Sequence, residues 1–137
     1  MNPYLSLREA EEVHPRTLIV EPNRVMRRML AQVARRAHCE VTLREEAEAW
    51  FDPFHVIVLS SRCAAQGVRA LLKTQPPAFS RGRLILVGRT HHVKWAPQCD
   101  RAFHIPDELR HLEVYLRDFV VPEQIEEVIE LNSMAQA

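Results

Sequence analysis

Two serines that follow a strongly apolar stretch are the first residues of this sequence whose types could do chemistry. The run HVIVL at positions 55–59 ends at Ser60 and Ser61. A buried parallel strand would place them at the carboxyl edge of its sheet, where ligands usually bind. A serine there could accept a phosphoryl group or hold a ligand. Because no base adjoins Ser60 in the sequence to activate its hydroxyl, the simpler interpretation is a polar pair that ends a buried strand.

Glu21 and Gly88 stand in equivalent places, directly after the apolar runs 18–20 and 84–87. Glu21 could be a residual metal ligand, but a small hard cation needs several oxygen ligands, and one glutamate supplies too few. We therefore expect Glu21 to be a solvated carboxylate near a helix N-terminus, where the helix dipole favours negative charge. A ligand pocket between Glu21, Ser60 and Gly88 is the alternative.

The rest of the sequence lacks the motifs of common enzymes and cofactor sites. It has no P-loop, no GxGxxG, no Gly-x-Ser-x-Gly elbow and no HExxH motif. With only three glycines, a phosphate-cradling loop is hard to build. One region combines imidazoles and a thiol, but their spacing fits no familiar metal site: His91, His92, Cys99 and His104. We expect no enzymatic activity and no metal or other cofactor.

Two groups of residues are candidates for binding a partner. Trp95, Arg110 and Tyr115 could form a protein-binding surface, because aromatic residues and arginines are enriched at interfaces; the alternative is that both aromatic side chains pack against the sheet. The second group lies mostly outside the apolar stripe of one predicted helix and could face nucleic acid: Arg24, Arg27, Arg28, Arg35 and Arg36. Because basic and acidic residues balance at 18 each and no recognition motif is present, a solvated helix face is the simpler interpretation.

The periodicity of apolar residues predicts the elements that position these side chains. Short apolar runs predict five strands: 18–20, 41–43, 55–60, 84–87 and 102–105. Asn23 is a good N-cap for the clearest helix, whose apolar stripe begins at Val25 and ends at Ala37. Further helices are predicted at 45–51, through 68–72 and from an Asp107 cap to 119. Since each crossover has room for a helix, we expect a parallel sheet covered on both faces.

Length and composition indicate one domain with two tails. The chain has 137 residues, of which 47% are hydrophobic and 26% charged, as in ordinary globular proteins. We expect an N-terminal extension at 1–16, the main domain at 17–121, and a short helix with a tail or linker at 122–137. No apolar run approaches the roughly 20 residues that span a bilayer, and residues 1–16 lack the core of a signal peptide. We therefore expect a cytoplasmic protein whose three cysteines are reduced and mostly buried.

With its strands in this order, the chain resembles a bacterial response-regulator receiver domain, of the CheY-like family, across residues 17–121. The likeness rests on four segments and on their order: LIVEPNRVMRRML, HVIVLS, RLILVG and AFHIP. It implies a flavodoxin-like or CheY-like α/β fold, a three-layer αβα sandwich around a five-stranded parallel sheet of order 2-1-3-4-5.

The positions that carry chemistry in that family are mostly changed here. Typical receivers keep two acidic residues after the first strand, a phosphoryl-accepting aspartate after the third, Ser or Thr after the fourth, and a lysine before the proline that follows the fifth. Those positions fall on Glu21 and Pro22, Ser60, Gly88, and Ile105. Only Glu21 keeps its chemistry, so the cation site and the lysine that assist phosphoryl transfer are both lost.

The resemblance, with these losses, implies a non-phosphorylatable pseudo-receiver that acts as a protein-protein interaction module in bacterial signal transduction or regulation. Its partner would be a protein of a signalling pathway, and a second copy of the chain is one candidate. Two alternatives remain open. One is a regulator that binds a small molecule or nucleotide in the carboxyl-end pocket, and the other is a nucleic-acid-associated regulator that uses the arginine-rich first helix.

Overall fold

A parallel sheet of five strands forms the centre of the molecule. The computed structural model describes residues 14–75, 83–89, 99–119 and 121. The strands are β1 (Arg16–Val20), β2 (Glu40–Arg44), β3 (Val56–Ser60), β4 (Leu84–Val87) and β5 (Arg101–Phe103). All neighbouring pairs are parallel, in the order β2-β1-β3-β4-β5. This is the flavodoxin-like arrangement, and it confirms the predicted fold.

Helices cover both faces of this sheet. Among the described residues they are α1 (Arg24–Arg36), α2 (Ala65–Thr74) and α3 (Leu109–Asp118). Val56 and Val58 of β3 pack in one core cluster with α1 and α3, whereas Ile57 and Leu59 pack in a second cluster with α2. Because both faces of β3 are buried, its sequence is a continuous apolar run, as a central parallel strand requires. No helix within the described ranges is long and apolar enough to cross a membrane.

Helix α1 begins as its sequence predicts. The Oδ1 atom of Asn23 accepts a hydrogen bond from the Met26 N–H at 2.9 Å, which satisfies one of the unpaired donors of the first turn. Val25, however, is 66% exposed, so its assignment to the buried stripe is wrong. It precedes Ala34, at the centre of the buried face, by nine positions, which is about half a turn out of phase at 3.6 residues per turn.

No helix forms at 45–51, where one was predicted; these residues form bends and extended loop. Gln75, the residue after α2, holds this loop. Its side-chain amide donates to Trp50 O at 2.7 Å and Asp52 O at 3.0 Å and accepts from Phe54 N–H at 3.2 Å. Pro53 also disfavours helical backbone at the residue before it. Tertiary hydrogen bonds therefore replace the helical ones.

Residues 101–109 differ from the prediction in two details. The last strand ends at residue 103 instead of 105, and residues 105–108 form a turn. The His104 N–H donates to Glu108 Oε1 at 2.8 Å across that turn. Helix α3 therefore starts one residue after Glu108, and the predicted Asp107 cap is wrong.

Candidate functional site

A cleft of about 470 Å³ opens at the carboxyl edge of the sheet. It lies where β1, β3 and β4 end, because neighbouring parallel strands finish at the same edge. The described residues that line it are Glu21, Met26, Leu30, Ser60, Ser61, Arg62, Val87, Gly88, Arg89, Ile105 and Pro106. Of the five positions aligned with the receiver site, the cleft therefore brings together Glu21, Ser60, Gly88 and Ile105. The fifth, Pro22, is exposed and does not line it.

Glu21 is buried at the base of this cleft, with 1% of its surface exposed. Its backbone N–H donates to Arg44 O at 3.0 Å and so continues the pairing beyond the last residue of β1. Its carboxylate Oε1 lies 2.8 Å from Nη1 of Arg62. The second oxygen, Oε2, is buried without a hydrogen-bond partner among the described residues. The expectation of a solvated carboxylate is therefore wrong, because the sheet edge and the Arg62 side chain cover it.

Ser60 is also buried, with 1% of its surface exposed. Its hydroxyl oxygen accepts a hydrogen bond from the Arg62 backbone N–H at 3.1 Å, and its carbonyl accepts one from the Cys63 N–H at 3.0 Å. The hydroxyl thus shapes the turn that leaves β3. Within the described part of the chain no carboxylate or imidazole accepts a hydrogen bond from it, so no base activates it there.

Gly88 lies where the loop after β4 touches the loop after β3. Its φ of 109° is in the region that L side chains rarely adopt. A Cβ atom there would lie 2.5 Å from the Ser61 hydroxyl oxygen, which itself accepts the Arg89 N–H at 3.0 Å. The sequence indicates at Gly88 a missing hydroxyl and a member of a possible ligand pocket; the structure adds that the glycine allows the two loops to meet.

Two arginines of the cleft were missed by sequence reasoning. Arg62 and Arg89 are the charged residues that lie just beyond the ends of β3 and β4, and that position was the signal available in the sequence. The Arg62 side chain is 55% exposed although it forms an ion pair with Glu21. The Arg89 side chain makes no hydrogen bond or ion pair with the residues that the structure describes, and it is exposed. Two arginines and one glutamate give the lining a net charge of +1.

The predicted arginine face of α1 is only partly free. The Arg27 side chain is 15% exposed; it donates to Glu21 O at 2.8 Å and approaches Glu45 Oε1 at 3.4 Å. Arg36 pairs with Glu113 of α3 at 2.7 Å. Arg27 therefore does not belong to a solvated face. The other members of the predicted set are exposed: Arg24, Arg28, Arg35 and, although it is paired, Arg36.

The candidate partner residues are placed in part. Arg110 is exposed on α3. Tyr115 is half-buried, with its ring centroid 5.7 Å from that of Phe103, and the Arg101 guanidinium carbon lies 5.3 Å from the tyrosine ring centroid. Burial raises the pKa of Tyr115 above its ordinary value, and the nearby Arg101 opposes that shift. Trp95 lies outside the described residues.

The remaining observations concern a possible metal site and the similarity to known proteins. The described residues contain no group of three or more His, Cys, Asp or Glu side chains that could hold a metal ion; His91 and His92 lie outside those residues. In comparisons with known proteins, no protein-family model matches the chain and no curated protein matches it. The function has to be argued from the fold and from the cleft.

Proposed function

We propose that the protein is a non-phosphorylatable pseudo-receiver that acts as a protein-protein interaction module in bacterial signal transduction or regulation, and not as an enzyme. One observation carries this proposal. At the carboxyl edge, Arg62 makes hydrogen bonds to both side chains on which phosphoryl chemistry would depend, those of Glu21 and Ser60. Its guanidinium lies 2.8 Å from Glu21, and its backbone N–H donates to Ser60 Oγ at 3.1 Å.

Phosphoryl transfer depends on positioning and on cationic groups that neutralise the developing charge. A divalent cation at Glu21 would have to displace the Arg62 guanidinium, and it would find one carboxylate instead of the several oxygen ligands that it prefers. Two further positions of the lining offer no charged group: Ile105 has an apolar side chain, and Gly88 has none. These features support an output that does not depend on phosphorylation.

The protein-binding part of the proposal rests on the surface around β5 and α3. Arg110 is exposed, and Val114 on the same helix is 46% exposed. Arg101 is also exposed and lies over the rings of Phe103 and Tyr115, at 5.7 and 5.3 Å from their centroids. Arginine and aromatic side chains beside an apolar position are typical of interface centres. A protein of a signalling pathway is the proposed partner, and a second copy of the chain is one candidate.

The test of phosphorylation uses the whole chain with magnesium and either acetyl phosphate or beryllium fluoride. We expect no covalent adduct by intact-mass measurement and no change in tryptophan fluorescence, because the described lining of the cleft offers neither an acceptor aspartate nor several oxygen ligands for a cation. A receiver domain that keeps its aspartate, treated in parallel, shows that the reagents are active. A stoichiometric phosphoryl adduct on the wild-type chain would overturn the proposal.

The same preparation tests the partner surface. Proteins captured from a bacterial lysate are compared with and without acetyl phosphate, for the wild type, for Arg110→Glu and for the matched exposed control Arg35→Glu. We expect one set of proteins to be captured equally in both conditions, lost with Arg110→Glu and kept with Arg35→Glu. Capture that needs acetyl phosphate contradicts the proposal, and so does capture that both substitutions reduce equally.

A further inference from the structure

The cleft at the carboxyl edge is an incomplete site for an anion. Two arginines face one glutamate in its lining, so one positive charge is left without a partner within the described residues, in a chain whose formal net charge is zero. A concave surface that concentrates one sign of charge attracts small ions of the opposite sign. The ligand that this charge favours is a monoanion or a larger anion held by both arginines.

The side chain of Arg62 is oriented by its pairing with Glu21 before any anion binds. Glu21 is buried to 1% exposure and binds one terminal nitrogen of the guanidinium at 2.8 Å. A guanidinium has five N–H donors in a planar fork that matches the two oxygens of a carboxylate or phosphate. The described residues accept from one side-chain nitrogen of Arg62, so most of its donors remain available on a group that is already oriented. Less conformational freedom is then lost on binding.

Glu21 provides a second and independent observation. Its Oε2 atom is sealed from solvent and has no hydrogen-bond partner among the described residues. A buried carboxylate oxygen without a donor is costly. With one oxygen unsolvated, the carboxylate depends on the Arg62 guanidinium for its charge compensation. The position of Arg62 at the cleft is therefore fixed before a ligand binds.

The apolar part of the lining selects the rest of the ligand. It is formed by apolar side chains of α1, β4 and the turn before α3: Met26, Leu30, Val87, Ile105 and Pro106. A volume of about 470 Å³ lies within the range of small-molecule sites, which commonly combine apolar walls with a few convergent polar groups. The wall suits a flat or branched apolar body attached to the charged end.

We propose that this cleft binds a small organic oxyanion, a carboxylate or a phosphate monoester with an apolar or aromatic body, whose charged end is held by Arg62 and Arg89. The inference goes beyond the proposed function and does not rest on it. Binding is non-covalent and needs neither an acceptor aspartate nor a metal ion. An absent phosphoryl adduct and an empty cleft are therefore separate results of separate measurements.

The test is a titration of the wild-type chain followed by amide nuclear magnetic resonance at low salt. Four probes separate the contributions: adenosine monophosphate, 2-aminobenzoate, the uncharged nucleoside adenosine, and inorganic phosphate. We expect one of the two organic anions to shift the amides of Ser61, Arg62 and Arg89 saturably, and adenosine to leave them unchanged. The organic anion that binds more tightly identifies the phosphate or the carboxylate class. Inorganic phosphate, which has no apolar body, is expected to bind more weakly than that anion.

The matched variants decide whether the site is the one proposed. Arg62→Gln and Arg89→Gln should each weaken binding about tenfold or more, since a hydrogen bond to a charged group contributes on the order of 1.5–3 kcal/mol. Arg35→Gln removes the same charge from the exposed C-terminal end of α1 and should change affinity less than twofold. The Arg89 side chain makes no hydrogen bond or ion pair with the described residues, so its substitution keeps the test valid if Arg62→Gln does not fold. Equal loss in all three variants, or no saturable shift with either organic anion, overturns the proposal.

Discussion

Gly88 is the residue at which the geometry of the cleft depends most directly on one amino acid. Its φ of 109° is one that L side chains rarely adopt, and a Cβ atom there would lie only 2.5 Å from Ser61 Oγ. We expect Gly88→Ala to lower the free energy of unfolding by about 1–3 kcal/mol, the usual cost of forcing a side chain into such a conformation. The measurement is urea unfolding, in which the midpoint should fall while the slope stays unchanged.

The double variant Gly88→Ala with Ser61→Ala separates the two causes. Removing the Ser61 hydroxyl relieves the contact but leaves the backbone conformation, so the double variant should recover only part of the loss after correction for Ser61→Ala alone. If Gly88→Ala is as stable as the wild type, the two loops do not meet as described.

The pairing of Glu21 with Arg62 shows what the sequence could not predict at this scale. The two residues are 41 positions apart, and no local pattern links them. The sequence does place Glu21, Ser60 and Gly88 after apolar runs, and neighbouring parallel strands end at one edge, so their meeting in one cleft could be predicted. The burial of Glu21 could not, because it depends on a side chain from another loop that covers it.

The loop that precedes β3 is the element whose structure depends most on tertiary contacts. Gln75 makes three hydrogen bonds to its backbone, at 2.7, 3.0 and 3.2 Å. Gly67 of α2 also lets it approach closely, since a Cβ atom at that position would collide with the Ala47 carbonyl oxygen. The Gln75 side chain, directly after α2, and the missing side chain of Gly67 within α2 therefore hold this loop in place.

We expect Gln75→Ala to lower the free energy of unfolding by about 2 kcal/mol, because it leaves one buried and two partly buried backbone groups without their partners. The loop should also become more open, which amide hydrogen exchange at residues 50–54 would measure. The control is Gln66→Ala, which removes an exposed glutamine from α2, the helix that Gln75 follows, and should cost less than about 0.5 kcal/mol. Equal costs for the two variants contradict this account of the loop.

At the scale of elements, the sequence predicts best where both faces of an element are buried or its cap is local. The bounds of β4 match the predicted 84–87, because a strand covered by helices on both faces is a continuous apolar run. The start of α1 follows from the Asn23 cap. The segment 45–51 fails because its helical pattern is weak and its hydrogen bonds go to Gln75 and Thr74, a choice made by tertiary structure.

The cysteine thiols are a property of the whole molecule, because they lie in the cores on both sides of the sheet. Cys39 belongs to the cluster with α1 and α3, and Cys63 belongs to the cluster with α2. The described structure has no disulfide among its three cysteines, as the sequence predicts. Burial raises the pKa of all three: that of Cys63 from 9.0 to about 11, with the Glu21 charge adding to the rise, and that of Cys99 to about 12.

These shifts predict that the fold loses stability at alkaline pH. In the unfolded chain the thiols ionise near the ordinary value of 9.0, whereas Cys63 in the folded chain keeps its proton up to about pH 11. The folded state therefore binds more protons in that window, so the free energy of unfolding falls as the pH rises from about 9 to 11 and is unaffected by this group below 9.

Urea unfolding at pH 7, 8, 9, 10 and 11 should show this decline in the wild type and a shallower one in Cys63→Ala. Other alkaline groups titrate in both proteins and cancel in the difference. Parallel declines in the two proteins would mean that the Cys63 thiol ionises as easily in the folded state as in the unfolded one.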